Sequence, residues 1–351
     1  MKDIQIDTAM PVLVTGATGY VAGWLVKKLL EAGVTVHASV RDHENPEKRK
    51  YLDAIAESAP GTIRYFRSDL LHEGSFAEAM KGCSIVFHTA SPFTIDVHDP
   101  KKELVDPALL GTRNVLEEAR RTKSVKRVVL TSSCAAIYTD AADCADAPGG
   151  ILTEDVWNST ASLDYQPYSY SKTVAEREAW ALAEGAGFRL VVVNPCMIMG
   201  PAIGGKPTSE SFSIIRRVGL GELKSGAPRV GMGFVDVRDV ADAHLAAAYL
   251  PQAAGRNIIC AHPSDLFSAL KTLLPRFGAS YPLPKRAVPK FLLWLLAPWL
   301  KLTRKFVSRN VDIPWRADNS KSIKELGMTY RPLQETMEDM FQYMIDHKYF
   351  H

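Results

Sequence analysis

The chain has 351 residues and a formal net charge of only +3, with 46% hydrophobic and 23% charged residues. This composition is typical of a globular protein and excludes a disordered chain, while the mild charge argues against a nucleic-acid-binding protein. The length suits one large domain, or a main domain with a smaller lobe.

The cysteines and the first residues bear on the cellular compartment. The five cysteines are scattered, odd in number and without CxxC spacing, which predicts reduced thiols and neither a disulfide framework nor a zinc site. The opening MKDIQIDTAM lacks the apolar stretch of a secretory signal. His, Cys, Asp and Glu do not cluster at metal-ligand spacing. We therefore expect a cytoplasmic protein without a metal.

The first half of the chain alternates strand-like runs with helical patterns. The predicted strands are PVLVTG, VTVHASV, IRYFRSD, SIVFHTA, VKRVVLTSS and RLVVVNP. The predicted helices are GWLVKKLLEAG, FAEAMKG, LLGTRNVLEEARRT and one that begins near Tyr168. This alternation, with continuous Val, Ile and Leu runs, indicates a parallel sheet covered on both faces. The predicted fold class is α/β, a doubly wound parallel sheet (Rossmann) with a smaller C-terminal substrate lobe.

The alternation weakens after Pro195, where Gly-, Pro- and Ser-rich loops such as GPAIGGKPTSES separate short helices. We expect residues 1–195 to form an NADP-binding Rossmann domain. Residues 196–351 are expected to form mainly a substrate-binding lobe at the sheet's C-terminal edge, with some segments returning to the Rossmann domain.

One apolar stretch, FLLWLLAPWL, runs from Phe291 to Leu300. It is too short to span a bilayer and is interrupted by Pro298, so no transmembrane span is expected. Two interpretations stay open for residues 288–302. The stretch is a packed helix of the lobe, or it makes weak contact with a membrane surface or a partner, since basic residues flank it.

The segment TGATGYVAGWLV follows the first predicted strand directly and opens the first helix. Its glycines suit a tight turn and close approach of the backbone to a pyrophosphate, and the helix amino terminus supplies N–H groups and the positive end of a dipole. The third small position is Ala22, which still permits close helix packing. We expect a dinucleotide to contact Gly16, Thr18, Gly19, Tyr20 and Val21.

The end of the second strand bears on the choice of cofactor. An NAD enzyme places Asp or Glu there for the ribose 2′-hydroxyl, whereas this chain has Val40 and Arg41, with Lys48 shortly after. A carboxylate would repel a 2′-phosphate, and a guanidinium can pair with one. We therefore predict NADP(H), held by Arg41 with help from Lys48. The alternative is a solvated basic loop.

The stretch YQPYSYSK contains three tyrosines, and their spacing distinguishes them. Only Tyr168 lies four residues before Lys172, so these two side chains share one helix face. An ammonium near a phenol lowers the pKa of the phenol, which makes Tyr168 a candidate proton donor. Ser132 and Ser133 end the preceding strand, where a hydroxyl can hydrogen-bond a substrate carbonyl. Strand-end capping is their alternative role.

These motifs, in this order, resemble the extended short-chain dehydrogenases/reductases over nearly the whole chain. The resemblance is carried by TGATGYVAGWLV, SVRD, VFHTASPF, VVLTSSCAAIY, YSYSKTVAEREAW, VVVNPCMIMGP and FVDVRDVADAH. It implies an NADP-dependent oxidoreductase that acts on CH–OH or carbonyl groups. Within the superfamily the chain is most similar to the branch of dihydroflavonol-4-reductases, cinnamoyl-CoA reductases and methylglyoxal or aldehyde reductases.

The resemblance implies roles for single residues. Ser133 polarises the substrate carbonyl, with Ser132 as a neighbouring alternative, and Tyr168 protonates the carbonyl oxygen. Lys172 holds the nicotinamide ribose and lowers the pKa of Tyr168. Further cofactor contacts are implied at Asp69, Leu70, Thr89, Ala90, Ser91, Pro195 and Ile198. The expected substrate pocket consists of Phe93, Ser132, Tyr138, Met197, Met199 and Phe212. Core or lobe packing is the alternative for its apolar members.

Two departures from the family bear on the substrate. Flavonoid reductases usually carry an asparagine where this chain has Tyr138, and cinnamoyl-CoA reductases carry NWYCYGK where it has QPYSYSK. Both plant-type substrates are thereby disfavoured. We expect a less specialised NADPH-dependent carbonyl reductase that transfers hydride to an aldehyde or ketone.

Other functions stay open beside this prediction. One is a 3β-hydroxysteroid or sterol-type dehydrogenase, and another is a sugar-nucleotide epimerase, which Val40 and Arg41 disfavour. A third is a non-catalytic NADP-sensing protein. The expected partner is a small-molecule carbonyl substrate and not a nucleic acid, and the protein is expected to be a monomer or homodimer.

Overall fold

The computed structural model describes residues 4–42, 45–91, 97–205, 207, 209–300 and 302–350. The strands are β1 (Val12–Thr15), β2 (Thr35–Val40), β3 (Thr62–Arg67), β4 (Ile85–His88), β5 (Arg127–Thr131), β6 (Arg189–Pro195), β7 (Met197–Met199), β8 (Gly231–Asp236), β9 (Gly255–Ile259) and β10 (His262–Asp265). The α-helices are α1 (Tyr20–Glu31), α2 (Pro46–Ser58), α3 (Ala77–Met80), α4 (Asp106–Arg121), α5 (Pro167–Ala183), α6 (Glu210–Gly219), α7 (Val237–Tyr249), α8 (Leu266–Lys271), α9 (Leu274–Phe277), α10 (Lys290–Leu296), α11 (Arg304–Asn310), α12 (Ser320–Glu325) and α13 (Leu333–Asp346).

The main sheet has the strand order β3-β2-β1-β4-β5-β6-β9, with seven strands in the described part of the chain. All neighbouring strands in it are parallel. The direction of winding reverses between β1 and β4, which opens a crevice at the carboxyl ends of these two strands. The predicted doubly wound α/β fold is confirmed.

Both faces of this sheet are buried, as the continuous apolar runs predict. Val12 and Val14 of β1 pack on one face with side chains of α1 and α7. Leu13, between them, packs on the opposite face with side chains of α3, α4 and α5. Alternate residues of a strand point to opposite faces, so a strand covered on both sides must be apolar throughout.

A smaller sheet lies in the second half of the chain, in the order β10-β8-β7. Strand β7 pairs in parallel with β8, and β8 pairs antiparallel with β10. The sequence did not predict this sheet, because β7 and β10 have only three and four residues. Strand β9, from the predicted lobe, joins the main sheet beside β6. The division of domains at residue 195 stays a prediction.

The apolar stretch from Phe291 folds as α10 and a turn, beside α11. Leu293 and Ala297 are buried and pack with Val307 and Val311. Most of the other side chains of the stretch are exposed. Across the ranges that the structure describes, no helix is long and apolar enough to cross a membrane.

A buried ion pair ties α5 to β9 at the edge of the main sheet. Arg256 of β9 donates from Nε to Oε1 of Glu176 on α5 at 2.6 Å, and both side chains are almost fully buried. The Arg256 guanidinium also donates to the carbonyls of Glu154 and Val156. It lies 3.9 Å from the centre of the Trp157 ring. The pair therefore joins three segments that are distant in sequence.

Replacing Arg256 by methionine would leave Glu176 buried without its cation. Loss of one partner of a buried pair costs about 3–5 kcal/mol, so we expect the free energy of unfolding of Arg256→Met to fall by about that amount. Arg276→Met removes a more exposed pair with Glu338, at 3.4 Å, and is the matched control. Its expected cost is below about 1 kcal/mol. Urea denaturation measures both, and equal losses would contradict the assigned role of the buried pair.

Candidate active site

The turn after β1 carries the glycines of the predicted cofactor loop. Gly16 has a φ of +63°, in the left-handed region that favours glycine. A Cβ at this position would lie 3.0 Å from the Cβ of Ala90, so a side chain has no room between the turn and the segment after β4. Gly19 is the N-cap of α1 and donates its N–H to the Gly16 carbonyl at 2.8 Å. The amino terminus of α1 thus lies next to the crevice of the sheet.

A cleft of about 630 Å³ opens in front of this turn. It lies between the start of α1, the end of β2, the start of α2 and the loop after β7. Its lining includes Thr18, Gly19, Tyr20, Arg41, Lys48, Tyr51, Ser91 and Gly204. Thr18, Gly19 and Tyr20 therefore lie where the sequence predicts a cofactor, whereas Val21 packs against the core of the sheet.

Charged side chains gather where the cleft meets the end of β2. Arg41 follows β2 directly and lines the cleft together with Lys48 and Arg49. Asp42 and Glu47 line it as well, and the Lys48 ammonium lies 3.6 Å from the Asp42 carboxylate. Asp42 is not part of the prediction from sequence, which rests on Val40, Arg41 and Lys48. The charge of the cleft is mixed, with three cationic and two anionic side chains among its lining residues.

Tyr51 of α2 shapes the wall of the cleft, and the sequence argument missed it. A Cβ on Gly204 would lie 2.5 Å from the Cβ of Tyr51. A Cβ on Gly23 would lie 3.3 Å from the Tyr51 hydroxyl. Burial raises the pKa of the Tyr51 phenol well above its ordinary value. The glycine pair in GPAIGGKP is the signal that could have pointed to this close approach.

The segment after β4 forms the other side of the crevice. The Thr89 hydroxyl donates to the Thr15 carbonyl at 2.5 Å, and the Ala90 N–H donates to the Thr15 hydroxyl at 3.1 Å. The Lys172 ammonium donates to the Ser91 hydroxyl at 2.8 Å. The structure therefore brings Thr89, Ala90 and Ser91 to the glycine turn and to α5.

Tyr168 and Ser133 are joined by a side-chain hydrogen bond. Tyr168 lies in the first turn of α5, and Ser133 follows β5 in an extended conformation, with its hydroxyl accepting the Ala135 N–H at 3.1 Å. The Tyr168 side chain is partly open to solvent, with 37% of its surface exposed. Burial of its hydroxyl end nevertheless raises the pKa of the phenol, and the hydrogen bond with Ser133 opposes that rise.

Lys172 lies one helical turn beyond Tyr168, with its Nζ 5.6 Å from the centre of the Tyr168 ring. Burial lowers the pKa of Lys172 to about 8, and the charge of Glu176 opposes the shift. The pKa of Tyr168 is raised here, and loss of solvation is the larger cause. A role of Lys172 in lowering that pKa stays a prediction.

Ser132 points away from the pair of Tyr168 and Ser133. Its hydroxyl donates to Oε2 of Glu176 at 2.5 Å, and the same carboxylate oxygen accepts the Asn194 side-chain amide at 2.8 Å. The bond to a buried carboxylate disfavours Ser132 as an alternative to Ser133, while Ser132 also lines the small cavity beside Lys172, so its role as a pocket residue stays a prediction. The sequence argument missed Glu176, although it stands four residues after Lys172 on the same helix face.

Phe212 is a core residue and not a pocket wall. It is almost fully buried, and the ring centres of Tyr20, Tyr343 and Tyr349 lie 5.2, 6.0 and 5.7 Å from its own. The Phe212 side chain is almost fully buried among these rings, which disfavours the predicted substrate contact. The hydroxyl of Tyr20 donates to the Gly200 carbonyl at 2.6 Å, which fixes one of the packed rings.

The other expected pocket residues differ in how deeply they are buried. Met199 is buried in the hydrophobic cluster beside the smaller sheet, while Met197 is only partly buried against it. The Tyr138 ring packs against Trp315 with centroids 5.4 Å apart, and burial raises the pKa of its phenol. Phe93 lies outside the described residues. A substrate contact stays a prediction for Met197 and Tyr138.

The remaining cofactor residues lie at the ends of other strands. The Asp69 carboxylate, after β3, accepts the Leu71 N–H at 2.9 Å. Leu70 lines a small cavity of about 20 Å³ beside α5 and not the larger cleft. Pro195 ends β6 and is buried, and Ile198 of β7 packs against the main core. Their contacts with a cofactor stay predictions.

Known proteins resemble this chain over most of its length. Residues 12–260 match the NAD dependent epimerase/dehydratase family. Cinnamoyl-CoA reductase CAD2 of Medicago truncatula is 34% identical over 348 residues, which covers 96% of each protein. Tetraketide alpha-pyrone reductase 2 of Arabidopsis thaliana is 39% identical over 275 residues, covering 76% of this chain and 83% of that protein.

A solved structure extends this likeness to the fold. The yeast methylglyoxal/isovaleraldehyde reductase Gre2, complexed with NADPH, is 27% identical and superimposes with a TM-score of 0.77, covering 97% of this chain and 100% of that one. Fold and relatives together define an NAD(P)-dependent oxidoreductase. The chain belongs to the NAD dependent epimerase/dehydratase family, among the extended short-chain dehydrogenases/reductases. The predicted family and enzyme class are confirmed.

The glycine turn fits a dinucleotide, since Gly16 leaves no space for a side chain and α1 begins beside it. In Gly16→Ala the new methyl group meets Ala90, so we expect the Kd for NADPH to rise by about tenfold or more, measured by fluorescence titration. Gly185→Ala is the matched control, because Gly185 has a φ of +65° and a Cβ there meets no described atom within 4 Å. Wild-type affinity in both variants would contradict the assignment of the turn.

Proposed function

We propose that this protein is an NADPH-dependent carbonyl reductase that reduces an aldehyde or ketone at Ser133, Tyr168 and Lys172. The observation that carries the proposal is the hydrogen bond between Tyr168 and Ser133, with Lys172 one helical turn away and bonded to Ser91 on the wall of the cleft. A proton donor, a second hydroxyl and a cation therefore meet beside Ser91, which lines the cleft.

The chemistry of these residues follows from their protonation. Bound NADPH supplies the hydride, and the protein must supply a proton to the carbonyl oxygen. The raised pKa of Tyr168 keeps its phenol protonated at neutral pH, so the proton is available for transfer. Ser133 donates a hydrogen bond to the same oxygen and orients it. Lys172, with a pKa of about 8, stays mostly charged at neutral pH and holds the ribose hydroxyls.

The preference for NADPH over NADH rests on the end of β2. Arg41, Lys48 and Arg49 line that part of the cleft, and a guanidinium matches the geometry of a phosphate. Asp42 opposes a phosphate, but the Lys48 ammonium lies 3.6 Å from its carboxylate. The solved structure of Gre2, which the chain resembles over 97% of its length, was determined with NADPH. We therefore assign the 2′-phosphate to Arg41, with Lys48 nearby.

The substrate is a small carbonyl compound in this proposal. The names of the relatives differ widely, from cinnamoyl-CoA reductase to tetraketide alpha-pyrone reductase and methylglyoxal/isovaleraldehyde reductase. Reduction of a carbonyl group is what those activities share. Residues 166–172 read QPYSYSK, and the cinnamoyl-CoA reductase motif is absent from that segment, so a coenzyme A thioester is disfavoured.

A sterol-type dehydrogenase is the second candidate, favoured by one observation. The exposed apolar side chains of Phe291 and Trp299 would suit an enzyme that works beside a lipid phase. A panel of aldehydes, diketones, flavanonols and sterols with NADPH separates the two candidates. Turnover of sterols alone would replace the first proposal by the second.

The proton donor is tested by Tyr168→Phe. Loss of general acid catalysis lowers kcat by about 10²–10⁴-fold, so we expect that loss on the best substrate of the panel. NADPH binding should persist, because the phenyl ring retains the shape of the site. Tyr170→Phe, two residues along the same helix, should keep nearly full activity. Full activity of Tyr168→Phe would show that another group gives the proton.

The cofactor preference is tested by Arg41→Ala. A hydrogen bond to a charged group contributes about 1.5–3 kcal/mol, so KM for NADPH should rise about tenfold or more, while KM for NADH stays nearly unchanged. Steady-state kinetics with both cofactors measures the split. Arg64→Ala, on the exposed face of β3, is the control and should alter neither value. Wild-type enzyme that works better with NADH would overturn the assignment.

A further inference from the structure

The carboxy-terminal half of the molecule exposes a set of large apolar side chains that the reductase site does not use. They belong to α10 and the turn after it, and we call them the apolar cap. Phe291 is 69% exposed and Trp299 is 78% exposed. The other exposed members of the cap are Leu292, Trp294, Leu295, Leu296 and Leu300. Adjacent exposed residues of this size mark a surface that meets another apolar phase.

The segment that carries the cap is packed against the protein on its inner side. Leu293 and Ala297, on the inner side of the same segment, pack with Val307 and Val311 of the neighbouring helix. Two bridges, between Ala227 and Ala287 and between Val230 and Val311, attach the segment to the body of the protein. A helix that is held on one side and still apolar on its outer sides differs from an ordinary surface helix, whose outer side is polar.

The segment of chain around the cap carries only positive charges. Residues 266–311 contain nine Lys and Arg and no Asp or Glu, whereas the whole chain carries only +3. The rest of the chain is therefore net negative. The stretch of chain that carries the cap therefore has an excess of cations, which attracts an anionic surface.

Two of these cations are already paired with carboxylates, and five others lie close to the cap in sequence. Arg309 donates to the carboxylates of Asp140 and Asp143, so its charge is compensated. Arg276 pairs with Glu338. The basic rim consists of Lys285, Arg286, Lys290, Arg304 and Lys305. The Arg304 guanidinium lies 4.3 Å from the centre of the Trp294 ring, which places a rim cation directly beside the apolar side chains.

We propose that the apolar cap and the basic rim dock this protein on the surface of a bilayer that contains anionic phospholipid. Large apolar and aromatic side chains enter the boundary between headgroups and acyl chains, and the Lys and Arg around them pair with the phosphates. The segment lies on the membrane and does not cross it, in keeping with the lengths of the described helices. Docking adds to the proposed reductase function and does not depend on it.

A second copy of the chain is a less suitable partner for the apolar cap than a lipid surface. In a symmetric dimer the same patch meets itself, so the basic rims of both copies would face one another. Like charges brought together at an interface are unfavourable. An anionic lipid surface instead complements both the apolar side chains and the charge.

Vesicle binding of the full chain tests the proposal. Vesicles of phosphatidylcholine alone are compared with vesicles of phosphatidylcholine mixed with phosphatidylglycerol, by co-sedimentation and by tryptophan fluorescence. We expect binding to the anionic vesicles to be stronger by about tenfold or more, because each basic residue near the surface contributes separately, and to weaken with added salt. A blue shift of the tryptophan emission should accompany binding.

Double variants distinguish a loss of the docking surface from a loss of the fold. Leu295→Ser with Trp299→Ser should abolish binding to anionic vesicles, while NADPH oxidation on a soluble substrate and the thermal unfolding midpoint stay at wild-type values. Leu220→Ser with Ile323→Ser is the matched control, since both residues are exposed apolar residues on other elements, and it should bind like wild type. Lys285→Glu with Arg304→Glu should remove the preference for anionic lipid.

Three results would overturn the proposal. One is equal or absent sedimentation with the two kinds of vesicle. Another is loss of binding in the control pair as large as in the Leu295 and Trp299 pair. The third is a dimer that analytical ultracentrifugation detects in the wild type and not in the Leu295 and Trp299 pair, together with no binding of the wild type to vesicles. That result would assign the surface to a second copy of the chain. None of these results touches the reductase proposal, whose tests use soluble substrates.

Discussion

One buried carboxylate holds together the elements that carry the candidate site. Glu176 of α5 accepts hydrogen bonds from Ser132 after β5, Asn194 of β6 and Arg256 of β9. A charge in that position is stable only because these donors replace water. The same contacts fix α5 against the carboxyl edge of the sheet. Tyr168, on that helix, therefore meets its hydrogen-bond partner on a neighbouring strand end, and a change in this network would move the whole constellation.

Burial sets the protonation of the candidate site more than its local charges do. The pKa of Tyr168 is raised and that of Lys172 is lowered to about 8, and desolvation is the larger cause in both cases. Each shift favours the neutral form of its group. The phenol is thereby kept as an acid, while the ammonium retains most of its charge at neutral pH. The predicted proton donor and its cation are therefore an acid and a partly desolvated ammonium.

The cofactor crevice and the apolar cap carry different chemistry. The crevice between β1 and β4 combines a crowded glycine turn with a mixed set of charges, which suits a dinucleotide. The apolar cap and the basic rim lie on the segment after β10, which packs through its own small cluster around Leu293 and Val307. The two regions meet near α5, because Lys305 lies 3.6 Å from the ring centre of Tyr165, just before that helix. A docked molecule would therefore hold its catalytic helix close to the lipid surface.

Sequence alone determined the parallel sheet and predicted the cofactor turn and the pairing of Tyr168 with Lys172, because these depend on local patterns: apolar strands, glycines at fixed spacing and a helical interval of four residues. It did not determine that Phe212 lies in an aromatic core or that Ser132 serves a buried carboxylate, since those facts depend on which distant segments pack together. Glu176 looked like an ordinary helix residue until Arg256, eighty positions later, came against it. Burial is a property of the assembled fold, and it decided which hydroxyls and charges remain available for chemistry.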